Sequence, residues 1–340
     1  MIPLFARRGL LLSPLVLLCA CESVVMKPSG DIAAQQAHLI VVSTLLMLLI
    51  IVPVIALIIL FAWRYRKNNT AATYTPDWDH STRLELVIWG APLLIIIALG
   101  LITWISTHVL DPYRPLSRLD AARPIPADVK PLIVEVVALD WKWLFIYPEQ
   151  GIATVNELVA PVDVPVRFKI SASTVMNSFY IPALAGQIYA MPGMQTTLNA
   201  VINKAGVYEG FSANYSGAGF SDMRFKFHGK DAAGFEAWVK SVKAGGGTLD
   251  RAAYVQLEKP TVKDAVRRFG AAEAGLFNAV VERCVEPGAM CMSEMMGHKM
   301  DQHHAAMPAA TPPGLLAQST FDAICATPPI SVKMNHAKPY

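Results

Sequence analysis

The chain has 340 residues, 54% of them hydrophobic and 16% charged, with a formal net charge of +3 and a mean hydropathy of +0.39. That balance is too apolar for an ordinary soluble protein of this length and indicates membrane segments joined to a water-soluble domain. So small a net charge excludes a nucleic-acid binder that works by charge.

Residues 1–20 read as an export signal, in which Arg7 and Arg8 precede a short apolar core at 9–18. The core is too short to cross a bilayer, which takes about 20 residues. The run Leu18-Cys19-Ala20-Cys21 has the form of a bacterial lipoprotein box, which predicts cleavage before Cys21 and lipidation of that residue. An uncleaved anchor, or modification at Cys19, is the competing reading. Residues 21–38 follow as a segment outside the membrane.

Residues 39–62 carry no charge and form the first predicted span, with Pro53 inside it. Trp63 and Tyr65 mark an interface, followed by Arg64, Arg66 and Lys67. The loop 63–83 holds the local Arg and Lys excess and is therefore expected on the cytoplasmic side. The second span is predicted at 84–107, with Pro92 inside it and Trp89 and Trp104 near its ends. Everything after His108 is then periplasmic. Glu85 starts the second span, and a carboxylate entering the bilayer is by default a functional candidate. The alternative is an interfacial glutamate paired with Arg83 or solvated.

Residues 108–130 are proline-rich and read as a linker. From 131 to 229, short β-branched and aromatic runs alternate with turn signals. These are Leu132–Ala138, Val164–Ile170, Thr196–Ile202, Val207–Ala213 and Met223–Phe227, the pattern of an all-β Greek-key sandwich or barrel. From 230 to 286 the period becomes helical. Phe235, Trp238, Val239 and Val242 share one face behind an Asp231 N-cap, and a glycine break at 245–247 follows. Shorter helices are expected at 250–257, 262–269 and 273–283.

From 287 to 340 the chain lacks a core pattern and is predicted to be a disordered tail. It clusters Met290, Met292, Met295, Met296 and Met300 with His298, His303 and His304. Thioether and imidazole donors together suit copper(I), so the readings are a metal-acquisition tail or a flexible one with incidental affinity. Cys284 and Cys291 are close enough to pair in an oxidising compartment, leaving Cys325 over. Sequence alone leaves the pairing open.

The stretch Phe211-Ser-Ala-Asn-Tyr-Ser-Gly-Ala-Gly-Phe-Ser-Asp-Met223 carries a resemblance. A β-domain ending in such a loop outside two membrane helices resembles subunit II of the haem-copper oxidases. In cytochrome c oxidases of that family the loop reads C-x-x-x-C-x-x-x-H-x-x-M and holds two coppers. Here Ser212 and Ser216 stand at the cysteine positions, Phe220 at the histidine and Met223 at the methionine. Asn177, in Val175-Met-Asn-Ser-Phe-Tyr-Ile-Pro182, stands where the family has its first histidine, and Asn214 where it has a glutamate. Hydroxyl, amide and phenyl groups do not replace thiolate and imidazole at copper. The pattern, with Pro148–Leu158 and Gln187–Thr196, is similar to subunit II of cytochrome bo-type ubiquinol oxidases.

The resemblance implies a two-helix transmembrane hairpin, a cupredoxin-like Greek-key periplasmic domain and a C-terminal helical arm. It implies a subunit of a proton-pumping complex in a bacterial inner membrane that oxidises ubiquinol and reduces oxygen to water. No cofactor is expected on this chain; haems and one copper are expected in subunit I. Subunit I and further small membrane subunits are the implied partners. Glu85 is placed near the mouth of a proton path into subunit I. Trp141 and Trp143, in Asp140-Trp-Lys-Trp-Leu-Phe-Ile-Tyr147, match the family's aromatic electron-path segment, with plain core packing the competing reading. Three alternatives stay open: a copper-bearing cytochrome c oxidase subunit, a copper-handling membrane lipoprotein, and a menaquinol oxidase subunit.

Overall fold

A computed structural model describes residues 23–73, 75, 77–126 and 128–295. The expected export signal, the expected lipidation site Cys21, Cys325 and the part of the expected tail from 296 onward, with Met296, His298, Met300, His303 and His304, lie outside the described residues. The chain divides into two units, 1–292 and 293–340, and all elements named below belong to the first. Of the second unit only 293–295 are described, and they are helical.

Two long apolar helices come first, α1 (Asp31–Arg64) and α2 (Thr82–Val109). Both are long and apolar enough to cross a membrane, and each runs through its proline, Pro53 or Pro92. The first helix starts eight residues before the expected span. At ~1.5 Å per residue its 34 residues reach ~51 Å, beyond the ~30 Å of a hydrocarbon core. Apart from Ile32, which packs on the sandwich core, the extra turns Asp31 to His38 are polar or small, and Ala33 and Ala37 are buried. Just before them the backbone lies against the soluble domain. Gly30 bridges Ile202, and a Cβ on Gly30 would sit 2.6 Å from Val201 O and 2.7 Å from Leu184 O. Only glycine allows that approach. The segment 21–38 is thus not a free lead-in, because its described part fastens the first helix to the domain.

Twelve strands follow or interleave: β1 (Leu132–Leu139), β2 (Lys142–Tyr147), β3 (Ile152–Val155), β4 (Glu157–Pro161), β5 (Pro165–Ala172), β6 (Asn177–Tyr180), β7 (Ile188–Ala190), β8 (Thr196–Val201), β9 (Gly206–Ser212), β10 (Arg224–Lys230), β11 (Gly247–Leu249) and β12 (Arg267–Ala272). They form a seven-stranded sheet ordered β11-β12-β3-β2-β1-β5-β8 and a five-stranded sheet ordered β4-β10-β9-β6-β7. One core lies between the sheets, where Trp143, Phe145 and Phe168 meet Phe179, Phe225 and Phe227. Phe179 and Phe225 stack at 5.5 Å between ring centroids.

The first sheet has a second covered face. Val137, Leu139, Leu144 and Ile146 point away from the sandwich into a separate core with Leu249, Tyr254, Leu257, Leu276 and Phe277. These last residues belong to the arm, which contains α3 (Ala232–Gly245), α4 (Arg251–Glu258) and α5 (Leu276–Val281). Asp231 caps α3 by accepting from Gly234 N at 2.9 Å, and Phe235, Trp238, Val239 and Val242 are buried in the sandwich core. The continuous apolar run of β2 is explained by burial on both faces.

The arm departs from the sequence expectation in one place. No helix forms at 262–269. Val262 and Val266 are exposed, so the apparent helical face has nothing to bury. Instead β12 pairs antiparallel with β3 and parallel with β11. The glycine break becomes part of β11, and a Cβ on Gly246 would fall 2.3 Å from Gly270 N. Tertiary pairing overrides the local pattern here.

The linker and tail are also tied down more than expected. Arg123 forks onto Asp163 at 2.9 and 2.9 Å, and Asn199 Nδ2 donates to Pro112 O. The tail expected from 287 starts later: a disulfide joins Cys284 to Cys291, and Met292 N donates to Glu282 O.

Candidate functional site

The loop between β9 and β10 is built on a hairpin whose arms are already in register, Arg224 opposite Phe211. Ser212 ends β9 and is buried, and Asn177 starts β6 beside it, also buried. The Ser212 hydroxyl donates to Asn177 Oδ1 at 3.0 Å, with a second contact to Asn214 O at 3.2 Å. Asn177 Nδ2 donates to Val175 O and Asn214 Nδ2 to Met176 O. Ser216 Oγ lies 4.0 Å from Met223 Sδ, and Met223 is buried in the sandwich core. Phe220 opens a single 3-10 turn, Phe220–Asp222, and packs edge-on against Tyr215.

Asn177 therefore meets Ser212, and Ser216 meets Met223, while Phe220 packs on Tyr215. Hydroxyl, amide and carbonyl groups saturate each other's hydrogen bonds, as buried polar groups must. The set offers one thioether and no thiolate or imidazole. It does not fit a two-copper centre, which needs soft anionic donors.

Trp141 closes the loop from the other sheet. Its Nε1 donates to Ser216 O at 2.9 Å, and the indole lies on Gly217 and Gly219. A Cβ on Gly219 would be 2.6 Å from Trp141 Cδ2, which explains why the loop keeps its glycines. Trp143 points elsewhere, fully buried between Phe179 and Phe225.

Lys142, between those two tryptophans, is a residue the sequence reading passed over. Its side chain is 1% exposed, and Nζ donates to Thr261 Oγ1 at 2.7 Å, Lys259 O at 2.8 Å and Asp140 O at 3.3 Å. The Asp264 carboxylate is 3.9 Å away. Burial pushes the ammonium below its ordinary value, and Asp264 opposes that shift. A lysine inside an apolar run was the available signal. Glu157 is a comparable post on the sheet edge, where Arg268 binds both carboxylate oxygens at 2.7 Å. Burial opposes its charge, but the Arg268 hydrogen bonds prevail and hold the carboxyl below the usual range.

At the far end of α2, Glu85 pairs with His80 and not with Arg83. Glu85 Oε1 is 2.7 Å from His80 Nδ1, and the carboxylate side chain is 47% exposed. Nε2 of the same imidazole is 3.2 Å from Thr82 Oγ1. His80, in the loop just before α2, is therefore the partner of Glu85.

Residues 132–228 match the family model described as "Cytochrome C oxidase subunit II, periplasmic domain", and 243–288 match "COX Aromatic Rich Motif". The cytochrome bo(3) ubiquinol oxidase subunit 2 of Pseudomonas putida is 49% identical over 269 residues, 79% of this chain and 83% of that one. The chain belongs to the ubiquinol oxidase subunit 2 family. The Pseudomonas aeruginosa subunit of the same name is 46% identical over 90% of this chain and 89% of its own. The ubiquinol oxidase subunit 2 of Acetobacter aceti is 46% identical over 87% of this chain and 93% of its own. As a ubiquinol oxidase subunit 2, the chain combines the cupredoxin-like domain of that family with a loop closed by Asn177 and Ser212.

Proposed function

We propose that this chain is the copper-free subunit 2 of an inner-membrane haem-copper oxidase that oxidises ubiquinol, reduces oxygen to water and conserves the energy as a proton gradient. The observation that carries the copper-free part is the Ser212–Asn177 hydrogen bond, because a pair committed to each other and unable to supply soft anions leaves no donor set for copper. The chain's own task is then structural. α1 and α2 pack on subunit I, and the β-domain caps its periplasmic face. Haems and one copper belong to subunit I. The ubiquinol assignment rests on the names of relatives at 43–49% identity, whereas "Quinol oxidase subunit 2" of Bacillus subtilis stands at 38%.

Two finer roles complete the reading. Glu85, held by His80 at the start of α2, sits at the mouth of a proton path into subunit I. Cys21 carries a lipid that tethers the mature N-terminus to the membrane, a modest addition to two spans.

Metal analysis of the purified complex tests the main reading. One copper per complex, together with haem and quinol-dependent oxygen consumption, is the expected result. Three coppers, with thiolate-to-copper absorption, would reopen electron delivery through this chain.

A further inference from the structure

Where the two helices leave the membrane, they enclose two adjoining cavities against the β-domain, of about 280 Å³ and about 370 Å³. Leu110 and Arg118 line both. The larger is lined mostly by apolar residues, Ala34, Leu39, Ile105 and Val109, with Asp31, Arg118 and His38 at its polar side. The smaller holds most of the polar groups, among them Asp111, Arg114, Gln36 and Ser117, set among apolar residues such as Ile32, Pro112 and Leu116. The pair thus has an apolar lobe and a polar lobe in one continuous cleft.

The depth of this cleft follows from helix length. The uncharged part of α1 begins at Leu39, and Asp31–His38 rises ~12 Å above it at ~1.5 Å per residue. The apolar lobe therefore lies at the hydrocarbon boundary and the polar lobe at headgroup level.

The charges of the polar lobe fall into two sets. Asp31, buried, accepts from Arg118 Nε at 3.0 Å and from Gln35 at 2.7 Å, so that pair is internally neutral. Arg114 and Asp111 form no ion pair among the described residues. Arg114 only donates weakly to His108 O at 3.4 Å, and Asp111 Oδ1 accepts from the backbone of Tyr113. One guanidinium and one carboxylate, three residues apart, thus face the cleft without ionic partners. A guanidinium recognises phosphate, and a carboxylate recognises a primary ammonium.

We infer that this cleft binds one phospholipid with a zwitterionic phosphate-and-amine headgroup, its phosphate on Arg114, its ammonium on Asp111 and an acyl chain in the lobe lined by Ala34, Leu39 and Ile105. The lipid fills the wedge between the membrane hairpin and the domain that the Asp31–Arg118 pair holds in place. This inference does not depend on the copper-free reading.

The test uses the intact complex, wild type and two variants, delipidated in detergent and examined by native mass spectrometry. Arg114→Ala with Asp111→Asn removes the headgroup contacts. Ala34→Trp, at an exposed position, fills the apolar lobe and leaves every charged residue in place. The wild type is expected to retain one phospholipid more than either variant. Dioleoylphosphatidylethanolamine should restore it to the delipidated wild type at about tenfold lower concentration than dioleoylphosphatidylglycerol, a difference of about 1.4 kcal/mol. Equal lipid counts in all three proteins overturn the inference. So does retention by Ala34→Trp, equal affinity for both lipids, or binding of inorganic phosphate in place of lipid. The wild-type titration alone decides headgroup selectivity if a variant fails to assemble.

Discussion

The Ser212 hydroxyl donates to Asn177 Oδ1 at 3.0 Å, joining β9 to β6 where both residues are buried. Two side chains at positions that hold copper ligands in cytochrome c oxidases thereby close the loop together with Trp141. Ser212→Ala is expected to leave the amide oxygen short of a donor and to cost about 1–2 kcal/mol. Asn177→Leu should cost more, because it also abandons Val175 O and leaves the Ser212 hydroxyl only Asn214 O. Chemical denaturation of the purified chain measures both. Unchanged midpoints would mean that the loop is held by Trp141 alone.

Lys142 fastens the arm to β2. Lys142→Met keeps the bulk but abandons Lys259 O and Thr261 Oγ1, and a loss of about 2–3 kcal/mol is expected for buried acceptors left without a donor. Amide hydrogen exchange should show faster exchange across 247–272 before the sandwich itself is affected. Uniform acceleration over all strands would indicate instead that arm and sandwich unfold as one unit.

The Glu157–Arg268 pair makes a pH prediction. Burial opposes ionisation, the two hydrogen bonds from Arg268 outweigh it, and the folded carboxyl titrates below its ordinary 4.5. Its stabilisation is then fully present above 4.5 and is lost as pH falls through the folded value. His228 is also held down, chiefly by burial, so its contribution fades earlier, as pH drops below the ordinary 6.5. Unfolding midpoints from pH 8 to 3 should decline in two stages. Glu157→Gln should flatten the lower stage and deepen the upper one, because the Glu157 charge counteracts the burial that holds His228 down.

Glu85 tests the proton-path proposal. Glu85→Gln should lower quinol-driven oxygen consumption of the complex several-fold, and His80→Ala should give a smaller loss because the carboxylate remains. Both are read by oxygen electrode across pH, alongside proton release from proteoliposomes. Wild-type rates in Glu85→Gln would leave Glu85 as an interfacial ion-pair partner only.

Much of this protein was legible in its residues taken in order. Two charge-free runs of membrane-spanning length require helices, since unsatisfied backbone groups are not tolerated in lipid. Alternating strands between turns indicate an all-β sandwich or barrel. The replacement of thiols and imidazoles by Ser212, Ser216, Asn177 and Phe220 is a matter of side-chain chemistry, so composition alone decides what that loop cannot ligate.

The tertiary structure decided what each local pattern would pair with. Residues 262–269 carry a helical rhythm, yet β12 joins β3 because strand pairing and the Glu157–Arg268 fork outweigh a helix with no surface to cover. Lys142 looks like a solvated lysine until the arm folds over it and supplies Lys259 O and Thr261 Oγ1, beside Asp140 O from the preceding turn. His80 finds Glu85 only once α2 starts at Thr82. Periodicity reports which face of an element is apolar, but long-range contacts determine what that face meets. Those contacts exist only when distant parts of the chain arrive together.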